Sequence, residues 1–246
     1  MDEAIEKLPK VELHAHLNGC IRESTLFDLA KERSVTLSRE HFHHGDPHQA
    51  PSSSCATLST DSPLFFNVRP RSLQDCFDIF AEIPKCVDDL VSLRRITLEA
   101  LEDFAKHNVA YLELRSTPKQ LYVLSTTTVG TRGQVGDGSG QEENPIRLAS
   151  KKDYCHVILQ AMEDFEEQHN QHYQHCLKQE EVNESDAPSS QSKLRMTCRF
   201  LVAVDRTHSK EVAMEHVELA KDLVQSDVYG YRVVGVDMGG NPTKVR

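Results

Sequence analysis

The sequence lacks any surplus of positive charge. Its 28 Lys and Arg stand against 38 Asp and Glu, a formal net charge of -10. Phosphate-backbone affinity comes largely from clustered cations that release counterions, so a nucleic-acid binder is not expected and a small-molecule partner is favoured. The seven cysteines (Cys20, Cys55, Cys76, Cys86, Cys155, Cys176, Cys198) form an odd number without a C-x-x-C pair. Neither a disulfide framework nor a zinc ribbon is indicated, and they read as cytoplasmic thiols. No window approaches a membrane-spanning length. The N-terminus, MDEAIEKLPKVELHAH, is acidic and mixed where a signal peptide needs a basic start and an apolar run. A cytoplasmic protein with no membrane partner is therefore expected. There is no internal repeat. Gly136, Gly138 and Gly140 follow no strand and open no helix, so a dinucleotide loop is a poor fit.

What is present is an alternation. Four short segments, residues 11–17, 109–115, 197–205 and 231–237, combine aliphatic or β-branched residues with period-2 patterning. Helical stretches separate them. In residues 210–225 the apolar stripe of Val212, Val217, Ala220, Leu223 and Val224 follows Ser209 as N-cap. A second helix starts at Ser72, with Asp75 placed for a capping box and Pro84 breaking it; a third runs over about 90–107. Strands alternating with helices predict an α/β fold with a parallel sheet, in a doubly wound or barrel architecture. Polar segments at 38–70, 120–148 and 179–193 read as surface insertions in one domain spanning residues 1–246.

Alternation in the first strand puts Val11, Leu13, Ala15 and Leu17 on one face and Glu12, His14, His16 and Asn18 on the other. For an isolated strand this suits a half-exposed antiparallel edge. The second strand carries a comparable polar row, Tyr111, Glu113, Arg115 and Thr117, and parallel strands are seldom open to solvent. In a barrel such rows face inward, and the strand ends gather the active site. Polar or small residues do stand there: His16 and Asn18, Arg115 and Thr117, Asp205, then Asp237 and Gly240. Two imidazoles at i and i+2 on one face can share a metal ion.

The stretch LPKVELHAHLNG at residues 8–19 resembles the opening strand of adenosine deaminases, and its Asn18 is similar to the adenosine deaminase-like branch that acts on N6-methyl-AMP. YLELRSTPK (111–119), FLVAVDR (200–206) and VVGVDMGGNP (233–242) resemble the next three strand ends of that family, in the same order. The resemblance implies the N-terminal half, about four βα units, of a metal-dependent-hydrolase (β/α)8 TIM barrel. It implies hydrolytic deamination of a purine nucleotide, N6-methyl-AMP to IMP and methylamine, with AMP or adenosine as other substrates. By the same resemblance His14 and His16 are ligands of one Zn²⁺, and His16, Asn18, Thr117, Pro118, Lys119, Asp205 and Gly240 contact substrate. Asn18 stands where ordinary adenosine deaminases carry Asp, and loss of that carboxylate relieves repulsion of a 5′ phosphate. Lys119 can offer phosphate a charge-assisted contact.

Against the family pattern, the general-acid Glu, a third His, a His-Gly pair and an Asp-Asp pair are expected beyond Arg246, so no catalytic residue is assigned within the chain. Pro84 falls near the expected position of a substrate-contacting His, and Asn241 replaces a usual Asp. The complete enzyme is expected to be a monomer. Two alternatives stand beside the deaminase: another metal-dependent amidohydrolase, and a non-catalytic fragment that binds nucleotide or dimerises through open strand edges. The H-x-E with P-C-x-x-C signature of cytidine deaminases is absent. The cluster His41, His43, His44 and His48 lies in an insertion, and His169, His172 and His175 read as a solvated helical stripe.

Overall fold

The computed structural model describes residues 8–37, 72–123, 147–182, 194–242 and 244. The strands are β1 (Lys10–His16), β2 (Val109–Ser116), β3 (Tyr122–Val123), β4 (Arg147–Leu148), β5 (Thr197–Asp205) and β6 (Val233–Gly239). The helices are α1 (Glu23–Glu32), α2 (Leu73–Cys86), α3 (Leu90–Lys106), α4 (Lys151–Val182) and α5 (Lys210–Val224). The chain forms two compact units, Arg22–Asp88 and the remainder.

The larger unit holds a four-stranded sheet in the order β1-β2-β5-β6, and every pairing in it is parallel. Chain order equals spatial order, the arrangement of successive βα units that step round a barrel wall. The expected α/β parallel sheet is thus present, as four strands. One face of its central strands is apolar: Leu112, Leu114, Cys198, Phe200 and Val202 are fully buried. Helix α3 packs on β2, α4 on β5 and on α3, and α5 on β5 and β6. Each such large side chain contributes roughly 1.5–3 kcal/mol by leaving water.

Helix boundaries follow local chemistry. The Asp89 carboxylate accepts from the Ser92 amide at 2.7 Å and caps α3, while Ser209 caps α5 by accepting from Val212. Asn108, at φ 59°, ends α3 in the left-handed conformation that asparagine tolerates, and its carbonyl accepts from the Lys10 amide at the start of β1. The smaller unit packs α1 on α2 through Leu26, Leu29, Ile79 and Ile83, with Arg33 donating to Asp88 at 2.6 Å.

Four sequence expectations shift. The last strand starts at Val233 and not at Tyr231, because Gly230–Arg232 form a 3-10 turn before it. The first strand does not alternate strictly: β1 pairs Glu12 with Leu112 but Ala15 with Leu114, so one extra residue is accommodated between them. Glu12 therefore shares the face of Leu112, and Val11 and Leu13 are exposed instead of joining the core. Leu17 to Cys20 form a 3-10 turn, which takes Asn18 off the strand. Pro84 lies inside the last turn of α2, which runs on to Cys86: lacking an amide N–H it forfeits one hydrogen bond to the preceding turn, and the helix ends two residues later. Of the polar insertions, residues 38–70 lie outside the described residues. So do 124–146 and 183–193, while β3 and β4 pair antiparallel at the flanks of the second insertion.

Candidate active site

The four strands are parallel, so their C-terminal ends lie along one edge of the sheet. His16 closes β1, Arg115 and Ser116 close β2, Asp205 closes β5 and Gly239 closes β6. His16 and His14 bring their Nε2 atoms to 3.2 Å, with ring centroids 5.1 Å apart. Two nitrogens held 2.0–2.1 Å from one tetrahedral ion stand about 3.3 Å apart, so the pair has the spacing of two ligands sharing a metal. Partial burial, then the positive charge of Arg115, lowers the His16 pKa and favours the neutral imidazole that binds a metal. Among the described residues no group of three or more His, Cys, Asp or Glu converges on a common point. The residues present fit two positions of a four-coordinate site.

Beyond β2, Pro118 is buried and Thr117 and Lys119 are partly buried. Burial lowers the Lys119 pKa, and the negative charge of Asp205 opposes that shift. The Asp205 carboxylate accepts from the Thr207 amide and hydroxyl, each at 2.8 Å, and so holds the turn leaving β5. Gly240 lies against it at φ +94°; a Cβ there would stand 2.2 Å from Asp205 Oδ1. Only glycine lets that backbone approach. Asp205 and Gly240 therefore meet at one corner of the edge that also carries the His pair. Asn18 sits in the 3-10 turn that follows His16.

Two residues noted in the sequence only as polar strand ends prove central. Arg115, 6% exposed, pairs with Asp237 at 2.7 Å and also donates to the Leu13 carbonyl, linking β2 to both edge strands. Opposite charges at facing positions on β2 and β6 were the available signal, but the pairing spans β5 and needs the sheet order to be known. Elsewhere, a cavity of about 690 Å³ lined by Glu163, Glu166, Asn170, Arg195 and Arg232 opens near the N-terminal starts of β5 and β6, away from the His pair. His169 does not belong to a solvated stripe: it is partly buried, stacks on Phe165 and reaches the Leu194 carbonyl at 2.9 Å. The His41 to His48 cluster lies outside the described residues.

The parallel βα sheet with a paired-histidine strand end is an α/β arrangement that matches about half of the chain of solved TIM-barrel structures. An amidohydrolase from Burkholderia ambifaria with bound Zn shares this fold, at 19% identity and a TM-score of 0.54, over 97% of this chain and 46% of its own. The adenosine deaminase family pattern matches residues 9–135, and the chain belongs to that family. It is 32% identical over 243 residues to an N6-mAMP deaminase of Arabidopsis thaliana, covering 98% of this chain and 54% of that protein. The crystal structure of Arabidopsis ADAL complexed with IMP superposes with a TM-score of 0.59 at 31% identity, over 99% of this chain and 53% of the other. The chain spans about half the length of the curated relatives it matches.

Proposed function

We propose that this chain forms the first half of the active site of a purine nucleotide deaminase, which takes N6-methyl-AMP and water to IMP and methylamine. The observation that carries this is the His14–His16 spacing of 3.2 Å on the strand edge that also brings Asp205 against Gly240. His14 and His16 would hold one Zn²⁺, which when bound supplies a water acidic enough to ionise near neutral pH and a positive charge opposite the developing negative charge. Gly240 lets the Asp205 carboxylate lie against the end of β6, which fixes that acceptor at the strand edge where a substrate would sit. Lys119, whose charge is costly in its partly buried position, is served by an anionic phosphate. Asn18 presents that phosphate with an amide and no carboxylate.

Reconstituting the chain with a second polypeptide that carries the rest of a relative's barrel, then following methylamine release, tests this. N6-methyl-AMP should be turned over in preference to adenosine, and Asn18→Asp should reverse that preference. Hydrolysis of cyclic amides without purine deamination would instead support another amidohydrolase.

A second reading, a dimerising or nucleotide-binding fragment, is favoured by one observation. The edge strands expose Val11, Leu13, Val236 and Met238, with Val11 at 64% and Met238 at 68%. Such patches mark association surfaces. Sedimentation equilibrium decides it: a concentration-independent monomer opposes dimerisation, and nucleotide binding without turnover after reconstitution favours the fragment.

A further inference from the structure

The Arg115 guanidinium is nearly sealed from water yet leaves its Nε without a hydrogen-bond partner. Buried ion pairs seldom stabilise a fold, since removing two charges from water costs about as much as their attraction returns. Stability alone thus gives little reason for this pair. Its contacts point elsewhere. One nitrogen donates to the carbonyl of Leu13, the residue directly before His14. Another pairs with Asp237 at 2.7 Å, and the Asp237 carboxylate and the His16 ring both flank Gly239: a Cβ there would lie 3.6 Å from His16 Cε1 and 3.8 Å from Asp237 Oδ2.

β1 needs such a brace. It is an edge strand, its register slips beside Leu13 and His14, and Leu13 itself is exposed. Among the described residues the strand that pairs with β1 is β2, and that ladder is irregular where it aims the two imidazoles. A flat guanidinium can donate in two directions from one plane, which an ammonium cannot do with fixed geometry.

We infer that Arg115, held by Asp237, is a positioning residue that fixes the β1 backbone at Leu13 and so sets the convergence of His14 and His16. This rests on the deaminase reading for its purpose but not for its geometry. The test uses the 246-residue chain with Arg115→Ala, Arg115→Lys and the charge-neutral double variant Arg115→Met with Asp237→Asn. Three quantities are read: Co²⁺ affinity from visible absorbance, the nuclear Overhauser contact between the His14 and His16 rings in metal-free protein, and the urea midpoint.

Arg115→Ala should weaken Co²⁺ binding by about 10- to 100-fold, the usual effect of losing a residue that orients metal ligands. Arg115→Lys should recover part of it. The double variant leaves no unpaired buried charge, so it should keep a near wild-type urea midpoint while losing both Co²⁺ affinity and the ring contact. A folded double variant with wild-type affinity and an intact ring contact overturns the inference. Failure of the unaltered chain to bind Co²⁺ would count against the metal-dependent deaminase reading. The ring contact then decides alone: its loss in the double variant supports positioning and its retention refutes it.

Discussion

The two central strands and the two edge strands of the same sheet are built from similar residues but meet different surroundings. Leu112, Leu114, Phe200 and Val202 on β2 and β5 are fully buried, whereas Val11 and Leu13 on β1 and Val236 and Met238 on β6 are between 45% and 68% exposed. The comparison teaches that a period-2 apolar pattern fixes which residues can form a strand, while burial is conferred by what lies alongside. It also separates the origins of order. The centre is held by packing, whereas the site at the edges is held by polar ties: Arg115 to Leu13 and Asp237, and Asp205 against Gly240.

The sharpest test of that contrast is truncation at matched positions. Phe200→Ala should cost about 3–5 kcal/mol by urea unfolding, because it removes a buried ring and leaves a cavity. An effect below about 1 kcal/mol would show that the centre is not a packed core.

At the polar corner, Gly240→Ala combines a left-handed backbone with a contact to Asp205 too short for real atoms. It should cost about 1–3 kcal/mol and displace the Asp205 turn, visible as shifted Thr207 amide resonance. Unchanged stability and resonance would mean the strand end is not locked as described.

Acid should distinguish the covered face from the open one. His216 on α5 is fully buried, and burial, with the charges of Lys151 and His208, lowers its pKa; His16 and His156 are lowered too, each chiefly by burial. The fold binds fewer protons than the unfolded chain, so stability is complete above the ordinary value near 6.5 and falls as pH drops below it, until the folded value is reached. The buried His216 contributes a slope of at most about 1.4 kcal/mol per pH unit in that window, and the more exposed His16 and His156 much less because water screens them. His216→Phe should flatten the fall between pH 6.5 and 5.5 without abolishing it; an unaltered slope would contradict the assignment.

The smallest effect belongs to the edge. Val236→Ser should change stability by less than about 0.5 kcal/mol. A loss near that of Phe200→Ala would show that the edge is covered in solution.

Much of this was legible in the sequence. β5 begins and ends at the predicted residues, Ser209 caps α5 as its position before an amphipathic stripe requires, and the HAH motif places two imidazoles on one short segment. Patterns that depend on neighbours were not. The register slip in β1 arises from pairing with β2, so alternation misassigned Glu12, Val11 and Leu13. The Arg115–Asp237 pair joins residues 122 positions apart across an intervening strand, and no local signal announces it. Likewise Gly240 reads as a turn glycine until Asp205 is found against it.

The most direct test of the central claim is a zinc titration of the 246-residue chain followed by histidine side-chain nitrogen resonances. The account predicts that the Nε2 signals of His14 and His16 shift together and saturate at one equivalent, while the buried His216 does not respond. Zinc that leaves this pair unchanged, or that perturbs only one of the two rings, would contradict it.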